Sequence, residues 1–234
     1  MMLSTMPKLQ VTIMFSLEGL EEEHDKIHGM KGAFKSVIES IRRLSIVRVH
    51  QCIKRKPPLA LLLNSVVSNS NIDGILPLMR YIRSTVKVNT HTFSPMRGTG
   101  PAINWEAPDP DKFSKLIQSA QHYFEYYLSH EPEALQATLE RYSLWLRLIR
   151  GKGLPFQCQA GNNIGVIEPD SSIRLCELTP IVGNLRETNY DFDKVWFGSM
   201  ASEMRRKIIG CSCTHSCFIN ASQKHYAEIQ QEKI

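Results

Sequence analysis

Gln10-Val-Thr-Ile-Met-Phe-Ser-Leu17 is the stretch whose reading decides the fold. It is β-branched and apolar with little polar alternation, which suits a strand buried on both faces, as in a parallel sheet. Glu18-Gly19 ends it. Next come Glu21-Glu22-Glu23-His24-Asp25, a polar loop or short helix, and a turn over Gly29-Met-Lys-Gly32. Phe34, Val37, Ile38, Ile41 and Leu44 repeat at i, i+3, i+4 and i+7 and predict a helix over residues 33–44. Pro57-Pro58 breaks the chain, and Leu59 to Ser68 reads as a second apolar strand. Asn71 is the expected N-cap of a helix carrying Ile72, Ile75, Leu76, Met79 and Ile82. Pro77 inside that pattern demands a later start or a kink. Thr85 to Phe93 reads as a third strand. Strand, helix, strand, helix, strand is the pattern of parallel βαβ units with right-handed crossovers.

Residues 94–110 are rich in proline and glycine and read as a loop. Two helices follow. The first shows Phe113, Leu116, Ile117, Ala120, Phe124 and Tyr127 on one face. The second opens at Pro132, a good first helical position, and carries Leu135, Leu139, Tyr142, Leu146 and Ile149. Gly151-Lys-Gly153 stops it. Ile164–Glu168 and Ile173–Cys176 predict a hairpin around Pro169-Asp-Ser-Ser172. Asn184 to Tyr190 reads as a polar link and Phe192 to Ile208 as one helix. The tail after Ile219 is polar, a short frayed helix at most.

The formal charge of +5 is mild for 234 residues, so charge alone does not argue for nucleic acid. Arg42-Arg43, Lys54-Arg55-Lys56 and Arg205-Arg206-Lys207 read as solvated faces, since no aromatic-interleaved basic stripe accompanies them. Pro7, Lys8 and Gln10 precede any apolar run, and Leu59–Val67 is far too short to span a bilayer. A soluble, cytoplasmic protein is expected, with no membrane partner. Five of the six cysteines fall between Cys158 and Cys217, which makes metal ligation the leading expectation in a reducing compartment. Cys52 stands apart as a bystander. Cys158 and Cys176 bracket the hairpin, while Cys211, Cys213 and Cys217 arrive from a loop after a helix. Five thiols thus compete for four positions of an iron–sulfur or zinc site. Neither cysteine pair has the C-x₂-C spacing of a zinc knuckle. His215 could complete a zinc set, and buried apolar cysteines are the bland alternative.

Several stretches resemble the SPASM or twitch domain, the auxiliary-cluster extension of radical S-adenosylmethionine (SAM) enzymes. They are Cys158-Gln-Ala-Gly161, Ile167-Glu-Pro-Asp-Ser-Ser-Ile-Arg-Leu-Cys176, Gly183-Asn-Leu-Arg-Glu187, Tyr190-Asp-Phe192, Val195-Trp196 and Cys211-Ser-Cys-Thr-His-Ser-Cys217. Ser171 stands where that pattern has glycine. The full domain uses seven cysteines for two clusters, so the resemblance implies one auxiliary [4Fe–4S] cluster. It favours Cys158, Cys176, Cys213 and Cys217, with Cys211 competing.

The N-terminal half resembles the second half of a radical SAM barrel. Ser16-Leu-Glu-Gly19, Glu23-His-Asp25 and Gly29 are similar to its fourth strand, Asn64-Ser-Val-Val-Ser68 to its fifth, and His91–Gly98 to its sixth. Glu18 replaces the usual Asp and His28 the usual Arg. By this analogy Ser16 and Asn64 would face SAM. The family's catalytic C-x₃-C-x₂-C loop does not occur in the sequence. The chain therefore reads as a truncated or degenerate member, starting before the fourth strand. The fold expected is α/β: a partial (β/α) barrel of three parallel strands over residues 1–100, a helical linker over 101–153, and a small α+β cysteine-rich domain over 154–234. The function implied is the auxiliary-cluster part of an enzyme acting on a peptide or protein, not competent for SAM cleavage alone. SAM would bind only if a partner chain supplied the missing barrel half. A homo-oligomer is the other way to cover the exposed sheet edge. The alternative is a non-catalytic, zinc- or iron–sulfur-stabilised interaction module.

Overall fold

The computed structural model describes residues 11–53, 59–96, 107–211 and 213–231. Lys54-Arg55-Lys56, Pro57-Pro58, Arg97-Gly98 and Ser212 lie outside the described residues. The chain divides into two compact units, Met1–Ile149 and Arg150–Ile234.

The first unit is built on three parallel strands in the order β1-β2-β3: β1 Val11–Ser16, β2 Leu59–Val67 and β3 Thr90–Pro95. Around them run α1 Glu21–His28, α2 Ala33–Ile53, α3 Ile75–Thr85, α4 Pro110–Tyr127 and α5 Pro132–Ile149. Leu59, Leu61, Leu63 and Val67 turn to one face of the sheet. The first three pack there against Phe34, Ile38 and Ile41 of α2 and Leu78 and Ile82 of α3. Each such fully buried aliphatic side chain contributes about 1.5–3 kcal/mol.

The other face is not covered to the same degree. Along β1 the side chains alternate between half-buried and exposed, and Met14 is 62% exposed. The expectation of a strand buried on both faces is therefore corrected. The helical layer that carries the core covers one face, so period 2 reappears in the burial. Other boundaries shift for local reasons. α3 begins at Ile75 after a single 3₁₀ turn over Ile72–Gly74, which puts Pro77 in the first helical turn, where its missing N–H costs nothing. α3 runs on to Thr85, so β3 starts at Thr90 rather than residue 85. α2 extends to Ile53, well beyond residue 44.

A second cluster of the first unit is aromatic. Phe93 of β3 meets Phe113 and Phe124 of α4 and Tyr142 of α5. The Phe93 backbone N–H donates to the buried Tyr142 hydroxyl at 3.0 Å, so α5 is fastened to β3 by polarity as well as area. Asp109 caps α4 by accepting from the N–H groups of Asp111 and Lys112, with Pro110 at the first position.

The second unit holds a three-stranded antiparallel sheet: β4 Val166–Ile167, β5 Ser172–Arg174 and β6 Ile181–Asn184. Three helices follow: α6 Phe192–Trp196, α7 Ser199–Lys207 and α8 Ser216–Gln231. Its core comprises Ile173, Leu175, Val182, Val195, Trp196 and Ala201. The single helix expected over 192–208 is broken at Phe197-Gly198. A Cβ at Gly198 would sit 2.7 Å from the Lys194 carbonyl oxygen, so the tight turn there needs glycine. β6 precedes the expected polar link, which itself holds a 3₁₀ turn over Leu185–Thr188, and α8 replaces the expected short frayed helix after Ile219. The architecture as a whole is α/β: a small parallel sheet with helices, followed by a smaller antiparallel α+β unit.

Asn71 does not cap α3. Its side chain makes no capping bond and instead reaches across the strand ends. Its Nδ2 donates to the Glu18 carbonyl at 2.7 Å and the Val66 carbonyl at 2.8 Å, and its Oδ1 accepts from the Ser68 N–H at 2.8 Å. Asn71→Ala leaves those buried groups unpaired and is expected to lower stability by about 3 kcal/mol. Urea unfolding of the variant checks this, and a loss below about 1 kcal/mol would contradict it.

Candidate metal centres

Five thiols were expected to gather in the second unit, and all five are free. Cys158 precedes the hairpin and Cys176 follows β5. Both are buried in one cluster with Ala160 and Phe218. Burial pushes the Cys176 thiol up, and the neighbouring Cys213 and Cys158 push the same way. Cys211 is hydrogen-bonded to Cys213 and lies within electrostatic reach of Cys158. Cys158, Cys176, Cys211 and Cys213 are thus neighbours in space. Cys217 is exposed in the first turn of α8. His215 is buried, pairs through Nε2 with Glu177 at 2.8 Å and stacks edge-on against Phe218.

The tightest gathering of donors is in the first unit. Glu18 leaves the end of β1, while His24 and His28 sit one turn apart on α1 with ring centroids 4.2 Å apart. Glu18 Oε2 lies 2.6 Å from His28 Nε2 and 3.1 Å from His24 Nδ1. Burial alone would raise the Glu18 carboxyl, but the hydrogen bonds and charge of the two imidazoles outweigh it and hold it below the usual carboxylate range. Neighbouring carboxylates have structural duties. Asp25 accepts from the N–H groups of Gly32 and Phe34 and so ties the end of α1 to the start of α2. Glu23 fills the space that a Cβ on Gly19 or Gly74 would take.

Among the described residues, Glu18, His24 and His28 are the only group of three or more His, Cys, Asp or Glu side chains whose ligand atoms all lie within 4.8 Å of one another. That group offers imidazole and carboxylate, not thiolate. This corrects the cofactor expectation: the metal-competent donors point away from an auxiliary [4Fe–4S] cluster. Sequence reasoning noted Glu18 and His28 only as departures from a pattern. The His-x₃-His spacing beside a strand-end carboxylate was the signal that could have found the site.

Ser16 and Asn64 are register partners on β1 and β2. The Asn64 amide is engaged: its Nδ2 donates to Ser94 Oγ at 3.2 Å, and its Oδ1 accepts from Thr92 Oγ1 at 3.4 Å. On the covered face, Ser65 Oγ and His91 Nε2 lie 3.0 Å apart. That pair has the distance of a nucleophile and its base, but both residues are completely buried, so no substrate reaches it.

No family model matches the chain. No curated protein matches it either. Among solved structures it is similar to one described as "Native anSMEcpe with bound AdoMet and Kp18Cys peptide", at 16% identity and a TM-score of 0.44. The match covers 82% of this chain and 52% of that one, so the chain spans about half the length of the structure it matches. Similarity of this size does not show a common family. No helix among the described residues is long and apolar enough to cross a membrane.

His91 supplies a pH prediction. Burial lowers its pKa from 6.5 to about 3. Below pH 6.5 the unfolded chain takes up a proton that the folded chain refuses, so stability falls as pH drops from 6.5 toward 3. The urea midpoint of the native chain is expected to fall steadily over that range. That of His91→Gln is expected to fall less steeply, and parallel slopes would refute the assignment.

Proposed function

We propose that this chain is a non-catalytic binding module for a polypeptide partner, with its second unit held by zinc on cysteine thiolates. The observation that carries this reading is the donor chemistry. Four free thiols neighbour one another in the second unit, and the imidazole and carboxylate set of the first unit lacks the thiolates an iron–sulfur cluster needs. Cys158, Cys176, Cys211 and Cys213 suit a structural zinc, because a closed thiolate set adds folding energy without redox chemistry. A unit of about 85 residues sits near the size at which such staples matter. The thiol sulfurs swing about χ1, so ligation draws the neighbours together.

The same unit carries a groove of about 300 Å³ lined by Ile164, Val166, Ile167, Ile173, Phe192 and Trp196. Asn162 and Asn163 also line it. Apolar walls with a few amides suit an apolar side chain of an extended polypeptide, whose backbone the amides can bond. Ile167 and Phe192 are both exposed, so the groove is accessible.

Metal analysis tests the reading. The purified chain is expected to be colourless and to carry zinc, with Cys158→Ser/Cys176→Ser losing one equivalent and the cooperative melting of the second unit. A brown protein absorbing near ~400 nm would overturn it. So would formation of 5′-deoxyadenosine from SAM with dithionite.

A further inference from the structure

We propose that Glu18, His24 and His28 form a binding site for a divalent cation of the zinc class, in the first unit and independent of the cysteines. Two imidazoles and one carboxylate are a borderline-soft donor set that suits zinc and its neighbours in the first transition row better than magnesium or calcium. Three protein ligands leave a tetrahedral ion one further position, open to water or to a donor from a bound molecule.

The spacing is close to what such an ion requires. Bonds of about 2.0–2.1 Å place tetrahedral ligand atoms about 3.3 Å apart. Glu18 Oε2 lies 3.1 Å from His24 Nδ1 and 2.6 Å from His28 Nε2, so the first separation must open by about 0.2 Å and the second by about 0.7 Å. His28 is the member able to yield, since its side chain is 42% exposed. Glu18 and His24 are fixed: both are buried, at 4% and 2% exposure.

The supporting structure pre-positions these donors. The Glu18 carbonyl is held by Asn71, and α1 is closed by Gly29 in the left-handed conformation. Asp25 then pins the following turn through the Phe34 N–H at 2.9 Å. Both salt-bridge partners of the Glu18 carboxylate are imidazoles, which are neutral when they bind metal. The nearby Lys35 is drawn to Glu21 instead, at 2.8 Å. With both rings neutral as ligands, the ion itself would supply the positive charge that offsets the buried Glu18 carboxylate. One contact opposes the ion. The Glu18 N–H points at His24 Nδ1 from 3.2 Å and competes for the same lone pair. A single neutral hydrogen bond is the weaker claim on that lone pair.

Cobalt(II) and zinc(II) titration of the metal-free full chain tests the proposal. Cobalt in a nitrogen and oxygen site gives weak d–d bands without a thiolate charge-transfer band, whereas cobalt on cysteines gives both. The expected result is a nitrogen/oxygen component that persists in Cys158→Ser/Cys176→Ser. His28→Gln is expected to weaken it by about 100-fold or more. Gln at this exposed position can still donate to Glu18, so the fold survives the change, whereas Glu18→Gln and His24→Gln alter buried groups. Nitrogen/oxygen bands unaffected by His28→Gln would overturn the site. So would a native chain showing only thiolate-type cobalt, and that outcome would leave the zinc-on-thiolate reading standing. The reverse pattern, with no thiolate band in any variant, would sink that reading and leave this one intact.

Discussion

The amide of Asn71 is the contact on which the first unit's working end depends. A parallel sheet leaves its strand ends with carbonyls and N–H groups that have passed beyond the ladder, and burial makes each one costly unless paired. Asn71 answers three of them at once, from the end of β1, the end of β2 and the turn that follows β2. The backbone of Glu18 is fixed as a result, which determines where its carboxylate meets α1. Removing Asn71 therefore acts on the histidines without touching them.

The two units solve the problem of limited size differently. The first buries a continuous aliphatic layer on one face of its sheet and adds an aromatic cluster around Phe93. The second has short strands and a core of few side chains, and two of its cysteines are themselves buried packing groups. Thiols buried with phenylalanine behave as small hydrophobes until something ligates them. The donor chemistries differ accordingly: thiols where the core is thin, imidazole and carboxylate where the scaffold is already firm.

The three parallel strands were legible because each is a short apolar run between breakers, and the helices of the first unit because their apolar spacing is regular. The one-sided burial of β1 was masked by Met14, whose apolar side chain interrupts the solvent-facing alternation that Thr12 and Ser16 otherwise mark. Cysteine density drew the reading to the second unit. It could not reveal that the tightest set of donors would be Glu18, His24 and His28, because that set closes only when the end of β1 meets the inner face of α1. β6 was missed because Ile181-Val-Gly-Asn184 is too short to show alternation. α8 was expected only as a short frayed helix after Ile219, because its first turn begins inside the cysteine run, where the spacing of the cysteines drew the reading toward a loop.

Ser171 occupies the left-handed region with φ of 74°, at the turn between β4 and β5 where glycine would be at ease. Its own N–H donates to the Glu168 carbonyl and the Ser172 N–H to Asp170 Oδ1, and further support comes from later in the chain. The Ser171 carbonyl accepts the Leu185 N–H, and Asn184 Nδ2 donates to the Asp170 carbonyl. The β4–β5 hairpin is thus tied to β6 through its turn as well as through its ladder. The turn completes its hydrogen bonds only when β6 is in place, so a chain still emerging from the ribosome holds this corner with fewer bonds until residue 185 is available.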